Sequence, residues 1–208
     1  MNSNITEVRF IPTTAISDAM KGIYNLHHTI KPLKEEYILA GRAFTVQVPR
    51  GDNLAVLQAI GEAKPGDVLV VDSKGDCERA IAGDFVIGMM KTMNLGGLVV
   101  DGVIRDQLAI KELDFPVFSK GTTMASSGKA GGGSTNSPIS CGGVAVHPGD
   151  LIFGDADGVT VVPKEKEKDI IEKARKKMES DELREQKYAG NPEAIKQYIA
   201  KMLGQQDD

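Results

Sequence analysis

Tryptophan is absent from this chain of 208 residues, cysteine occurs twice and histidine three times. Cys77 and Cys141 lie far apart and belong to no Cys-x-x-Cys or Cys/His pattern, which argues against a zinc knuckle or a disulfide framework and leaves two reduced thiols. His27, His28 and His147 stand in no metal motif such as His-Glu-x-x-His and are expected in loops. Long apolar runs are also missing. Nothing approaches the ~18 residues that span a bilayer, and residues 1–10 lack a basic flank followed by an apolar stretch, so the expectation is a cytoplasmic protein with no membrane segment. Basic clusters interleaved with aromatics are lacking too, and the formal net charge is −4. DNA and RNA are therefore poor direct ligands.

What is present suits one soluble α/β domain over residues 1–208, with many of its 23 glycines at tight turns. A helix is expected over 13–23, with Ser17-Asp18 leading into Ala19-Met20, and a connection over 33–40. Phe44, Val46 and Val48 alternate with polar neighbours, which predicts a half-buried strand over 43–48. Leu54, Val56, Leu57 and Ile60 share one face of a helix over 53–63, and Pro65-Gly66-Asp67 turns into the apolar run 68–71, typical of a strand covered on both faces. A helix over 83–93 beginning at Asp84, a strand over 98–100, a helix over 105–112 and a strand over 115–118 complete a β-α-β-α-β-α-β order. That order points to a mostly parallel or mixed sheet flanked by helices.

The pattern then changes. Residues 122–143 are rich in Gly, Ser, Thr and Asn, including Gly131-Gly132-Gly133-Ser134, and suggest a mobile loop or an interface arm. Short strands follow at 143–146, 151–153 and 159–162, joined by Pro148-Gly149-Asp150 and Asp155-Ala156-Asp157-Gly158, both hairpin-type turn sequences. Pro163 closes the sheet. Helices over 164–186 and 192–203 form a C-terminal helical region of about 164–203. Its opening run Lys164-Glu165-Lys166-Glu167-Lys168 suits a solvated face. The stretch 64–72 echoes 147–155, each with a Pro-Gly-Asp turn before a strand ending in Asp, in keeping with a sheet with related edges.

Chemistry concentrates at Arg105-Asp106, which follows the strand and glycine turn of residues 96–104. Arg offers a permanently charged planar fork of donors, and an Asp oxygen suits Mg²⁺ or Mn²⁺, so the pair suits a metal-chelated keto acid. Asp84 sits at a helix start, where backbone N–H groups lack intrahelical partners and attract carboxylates. One helix and one strand separate Asp84 from Arg105, which returns the chain to the carboxyl ends of the strands where ligands of open α/β sheets collect. Lys91 and Lys120 are the lysines a Schiff-base route would draw on, but neither stands in a motif that lowers a lysine pKa. Gly128-Lys129-Ala130 is not a phosphate loop, because the Lys is followed by Ala. No glycine-rich nucleotide loop follows the first strand either.

Asp84, twenty residues, then Arg105-Asp106 resembles the signature of the class II pyruvate aldolases that cleave 4-hydroxy-4-methyl-2-oxoglutarate, members of the RraA-like family named for a regulator of ribonuclease E activity. The resemblance runs through Ser17-Asp18-Ala19-Met20, Ala40-Gly41-Arg42-Ala43, Pro65-Gly66-Asp67-Val68-Leu69-Val70, Val100-Asp101-Gly102-Val103-Ile104-Arg105-Asp106, Pro148-Gly149-Asp150, Asp157-Gly158-Val159 and Val161-Val162-Pro163. It implies a single swivelling-type β/α/β domain assembled as a trimer or a dimer of trimers, with sites between subunits and a divalent metal, Mg²⁺ or Mn²⁺. By the same resemblance Asp106 is the direct metal ligand, Asp84 acts through metal-bound water, and Arg105 contacts the keto oxygen. The N–H groups of Phe85 and Val86 cradle the substrate carboxylate, and Glu179 or Glu182 of a neighbouring subunit approaches the metal through water. The implied activity is a carbon-carbon lyase, an aldolase and oxaloacetate decarboxylase working through a pyruvate enolate. The alternative within the family is a non-catalytic protein that binds and inhibits ribonuclease E.

Overall fold

The computed structural model describes residues 5–204. Two helices open it, α1 (Ile5–Val8) and α2 (Thr13–Ala19), followed by β1 (Lys31–Pro32), β2 (Leu39–Gln47), α3 (Leu54–Glu62) and β3 (Val68–Asp72). Next come α4 (Asp84–Thr92), β4 (Gly97–Val100), β5 (Val103–Ile104), α5 (Gln107–Leu113), β6 (Val117–Ser119), β7 (Gly121–Thr122) and β8 (Ser134–Thr135). The chain ends with β9 (Ile139–Cys141), β10 (Val144–Val146), β11 (Leu151–Asp155), β12 (Gly158–Val162), α6 (Glu167–Tyr188) and α7 (Pro192–Met202).

The main sheet has the order β1-β6-β4-β3-β2-β11-β12, with β8 also on β2. Strands β2, β3, β4 and β6 run parallel, and β1, β11 and β12 are added antiparallel, so the sheet is mixed as the element order predicts. A bridge from Asn25 to Thr160 and the bond from Lys31 Nζ to the Asp157 carbonyl (2.7 Å) draw the two ends of the strand order together. The sheet nearly closes on itself. Side chains divide with strand periodicity: Leu69, Val71, Leu98, Val100 and Val117 pack under α3, α4 and α5, while Val68, Val70, Val99 and Phe118 fill the enclosed side with Ile152 and Val161. Leu151, Phe153 and Val162 form a third cluster with Ile16 of α2 and Ile170, Ile171 and Ala174 of α6. Each fully buried Val or Leu contributes about 1.5–3 kcal/mol by leaving water, and Val68, Leu69, Val70 and Val71 are all fully buried.

Several expectations need correction. The strand predicted over 43–48 is covered on both faces, since Thr45 is as buried as Val46. The cause lies in the segment expected to be a mobile loop or an interface arm. Asn136 donates its N–H to the Thr45 carbonyl (2.8 Å), Thr45 Oγ1 donates to the Ser137 carbonyl (2.6 Å), and β8 pairs with Val46 and Gln47. The helix expected over 13–23 ends at Ala19, because Lys21 and Gly22 take left-handed backbone angles, and Ser17-Asp18 lie in its last turn. On α3 the buried face is Ala55, Val56, Ala59 and Ile60, and Leu54 faces out. Pro148-Gly149-Asp150 does not make a hairpin: β10 pairs with β9 and β11 with β2, so this turn passes between two sheets. Its likeness to Pro65-Gly66-Asp67 is one of turn chemistry. Asp67 and Asp150 each accept from the backbone N–H three residues earlier, at Lys64 (2.9 Å) and His147 (2.8 Å). Both following strands lie inside the sheet, not at its edges.

The charge run at the start of α6 is not wholly solvated. Glu167 is buried and pairs in fork geometry with Arg42 of β2, Nη1 to Oε2 at 2.6 Å and Nη2 to Oε1 at 2.9 Å. This pair, with Ile170, Ile171 and Ala174, holds the first two turns of α6 to the sheet.

Candidate functional site

The loop after β3 and the strand β5 run side by side. Ile81 donates its N–H to the Val103 carbonyl (2.9 Å), and Arg105 donates its own to the Ala82 carbonyl (3.0 Å). This stitching brings Gly83-Asp84 next to Arg105-Asp106, although α4 and β4 intervene in sequence. Arg105 Nε lies 3.3 Å from Asp106 Oδ2, and both side chains stay partly open, at 42% and 39% exposure. Asp106 has φ 57° and ψ 38°, a left-handed conformation in which Asp is enriched among non-glycine residues. It precedes α5, where the sequence placed both Arg105 and Asp106 inside the helix.

Asp84 is the first residue of α4 and is exposed, and Gly83 takes the cap position. Asp84 Oδ1 accepts from the N–H of Phe85 at 2.7 Å. One of the two N–H groups expected to cradle a carboxylate therefore already holds the side chain beside it, and a ligand carboxylate there takes over a bond that Asp84 makes. Asp84 and Asp106 are oxygen donors of the kind that hard divalent cations such as Mg²⁺ take, one or two at a time with water completing the shell. Among the described residues no group of three or more His, Cys, Asp or Glu side chains forms a metal cage.

A cleft of about 120 Å³ opens here, lined by Asn53, Ala80, Ala82, Gly83, Asp84, Phe85, Val86, Arg105, Ser126, Ser127 and Lys129. Asp106 does not line it, but its Oδ2 lies against Gly83, which does. Larger grooves of about 320, 430 and 450 Å³ lie elsewhere, along Thr13 and Asp157, along Arg42 and Lys164, and on α6. The smaller cleft is the better site, because a helix N-terminus, an arginine and an exposed carboxylate meet in it. It also holds an orphan: Asn53 Oδ1 is buried without a partner, while its Nδ2 donates to the Ile81 carbonyl (2.9 Å).

Sequence reasoning missed Asn53, Ser126, Ser127 and Lys129. The last three stand in the glycine-rich segment, and no spacing rule links them to Asp84. Glu179 and Glu182 are exposed on α6 and do not line this cleft in the single chain. Glu179 borders the groove on α6, and Glu182 accepts weakly from Gln186 (3.4 Å). Lys91 donates to the Leu113 carbonyl, and neither it nor Lys120 lines the cleft.

Fold and site define a mixed α/β domain with an arginine and two carboxylates gathered where the parallel strands end. The sequence model of the family described as RraA-like, Aldolase/RraA, matches residues 13–161, and the chain belongs to this family. A protein of Halalkalibacterium halodurans provisionally named 4-hydroxy-4-methyl-2-oxoglutarate aldolase is 59% identical over 199 residues, 96% of this chain and 95% of that one. Among solved structures, RraAS2 of Streptomyces coelicolor, described as an unusual member of the RNase ES inhibitor RraA family, superposes with a TM-score of 0.76 at 29% identity. The match covers 86% of this chain and 94% of that one. The RNA-processing inhibitor RraA of Thermus thermophilus gives a TM-score of 0.66 at 27% identity, over 79% and 94% of the two chains.

Proposed function

We propose that the chain is a divalent-metal-dependent carbon-carbon lyase acting on short 2-oxo acids with a second carboxylate, of the 4-hydroxy-4-methyl-2-oxoglutarate type, and on oxaloacetate. The observation that carries the reading is the meeting of Asp84 with Arg105-Asp106 at the N-terminus of α4. The name of the 59% identical relative supports it. Asp106 and Asp84 would hold Mg²⁺ or Mn²⁺, which supplies Lewis acidity beside the 2-oxo group. The first turn of α4, through Phe85 and Val86, takes the carboxylate next to the keto carbon. Arg105 sets its guanidinium against the keto oxygen and stabilises the negative charge that gathers there.

In the aldol substrate the C4 hydroxyl loses its proton, the C3–C4 bond breaks, and the electron pair moves into the enolate of pyruvate. A proton delivered to C3 then completes pyruvate. In oxaloacetate the same bond breaks with loss of CO₂. On this reading the chain assembles as a trimer or a dimer of trimers, and Glu179 or Glu182 of a neighbouring subunit closes the site.

The test is pyruvate release from oxaloacetate and from the hydroxylated aldol, with Mg²⁺ or Mn²⁺ and with a chelator. Metal-dependent release that Asp106→Ala abolishes supports the reading, and an inert metal-loaded wild type across a panel of 2-oxo acids overturns it. The similarity to the RNA-processing inhibitor RraA and to a member of the RNase ES inhibitor RraA family favours a second reading, binding and inhibition of ribonuclease E. Inhibition of that nuclease by a chain inert to 2-oxo acids would select it.

A further inference from the structure

Residues 126–133 form a strap across one side of the cleft, and its fastening is specific. Gly128 donates its N–H to the Gly51 carbonyl (2.7 Å), and its own carbonyl accepts from the N–H of Asn53 (3.1 Å). On the other side of Lys129, the N–H groups of Ala130 and Gly131 both donate to Asp52 Oδ2. Asp52 Oδ1 accepts from Leu54 (2.8 Å), and the residue is buried. Ser127 Oγ donates to the Ala80 carbonyl (2.8 Å), and Arg79 Nη1 donates to the Ser126 carbonyl (2.9 Å). Both neighbours of Lys129 are thus tied to residues 51–53, while Lys129 itself is exposed, lines the cleft and joins no ion pair among the described residues. Burial pushes the Asp52 carboxyl up, but the N–H groups of Leu54, Gly131 and Ala130, with Lys129 nearby, outweigh it and hold the group below its ordinary value. The anchor keeps its charge.

The cleft therefore has two cationic sides. The α4 N-terminus and Arg105 answer to the 2-oxo acid end of a ligand. Lys129 stands on the strap near the buried Asp52, whose Oδ2 already accepts two backbone N–H bonds, and forms no ion pair among the described residues. We propose, on the lyase reading above, that Lys129 recognises the substrate's second carboxylate, and that Asp52 is the positioning residue that sets Lys129 in place through the strap.

The test compares oxaloacetate, which has two carboxylates, with the exchange of pyruvate methyl protons in D₂O, which involves one, using the full chain with Mg²⁺. Lys129→Gln changes an exposed side chain and is expected to lower kcat/KM for oxaloacetate about tenfold relative to that for pyruvate exchange, the loss of one charge-assisted contact. The loss falls in KM, and Lys129→Arg restores most of it. Asp52→Asn raises the same KM, and the double variant is no worse than the more impaired single, because both act through one contact. Equal effects of Lys129→Gln on both reactions, or an unchanged oxaloacetate KM in an active enzyme, overturn the assignment of Lys129 alone. A wild type inert to both compounds overturns the lyase reading and this proposal with it.

Discussion

The carboxylate of Asp106 lies in the space that a side chain on Gly83 would fill: a Cβ built there collides with Asp106 Oδ2 and comes within 3.0 Å of Arg105 Nε. Gly83 has φ −120°, which any residue adopts, so glycine is needed for room and not for conformation. Gly83→Ala is expected to displace the Arg105-Asp106 pair and lower oxaloacetate turnover about 100-fold, with little change in melting temperature. A coupled pyruvate assay beside a thermal melt checks it, and full activity in the variant would refute the packing argument.

The Arg42–Glu167 pair is mostly withdrawn from water, at 16% and 6% side-chain exposure. Removing one partner leaves the other charge buried alone, so Glu167→Gln is expected to cost about 3–5 kcal/mol in urea unfolding. Replacing both with apolar residues of similar volume should recover most of that loss.

Phe118 fills the enclosed side of the sheet against Gly154, where an added Cβ would stand 2.8 Å from the ring's Cζ. Gly154→Ala is expected to destabilise by about 1–3 kcal/mol through overpacking. Combining it with Phe118→Leu should cost less than the two changes summed, because the smaller side chain yields the space the methyl needs.

The two thiols should separate cleanly. Cys77 is exposed and Cys141 buried; burial, then the nearby charges of Asp101 and Asp72, pushes the Cys141 thiol well above its ordinary value. At pH 8 a disulfide reagent is expected to titrate one thiol in the native protein and the second only after denaturation. Because folding favours the neutral Cys141 thiol, its contribution to stability is full below about pH 9 and declines as pH rises beyond it.

The run 68–71 and the alternation of strands with helices are legible in the sequence because their signals are local: an unbroken apolar stretch, and turns marked by Pro, Gly and Asp. The twenty-residue interval from Asp84 to Arg105 is legible for a related reason, since one helix and one strand return a chain to the end of the sheet it left. What escapes such reading is contact between distant polar groups. Glu167 sits in a run of alternating charge and meets its partner 125 residues away. Ala130 and Gly131 find Asp52 through backbone N–H groups, 78 and 79 residues off, so residue type carries no trace of the match. The strap therefore reads as a mobile loop or an interface arm, and Lys129 only as part of a pattern that fails as a phosphate loop.

Helix α2 has Pro12 at its cap position and no local side-chain cap. Its cap comes from the far end of the fold: Asp155 accepts from the N–H of Thr13 (2.8 Å) and from Thr13 Oγ1 (2.7 Å), 142 residues apart. The helix buries Ile16 against Leu151, Phe153 and Val162, all from the same late stretch. On a ribosome, then, α2 emerges long before the strands on which it docks. Its apolar face waits uncovered while about 140 residues are made, roughly ten seconds or more at ordinary synthesis rates. The long-range closure of α2 on these late strands also sets an interval in which the nascent chain is open to association with other apolar surfaces.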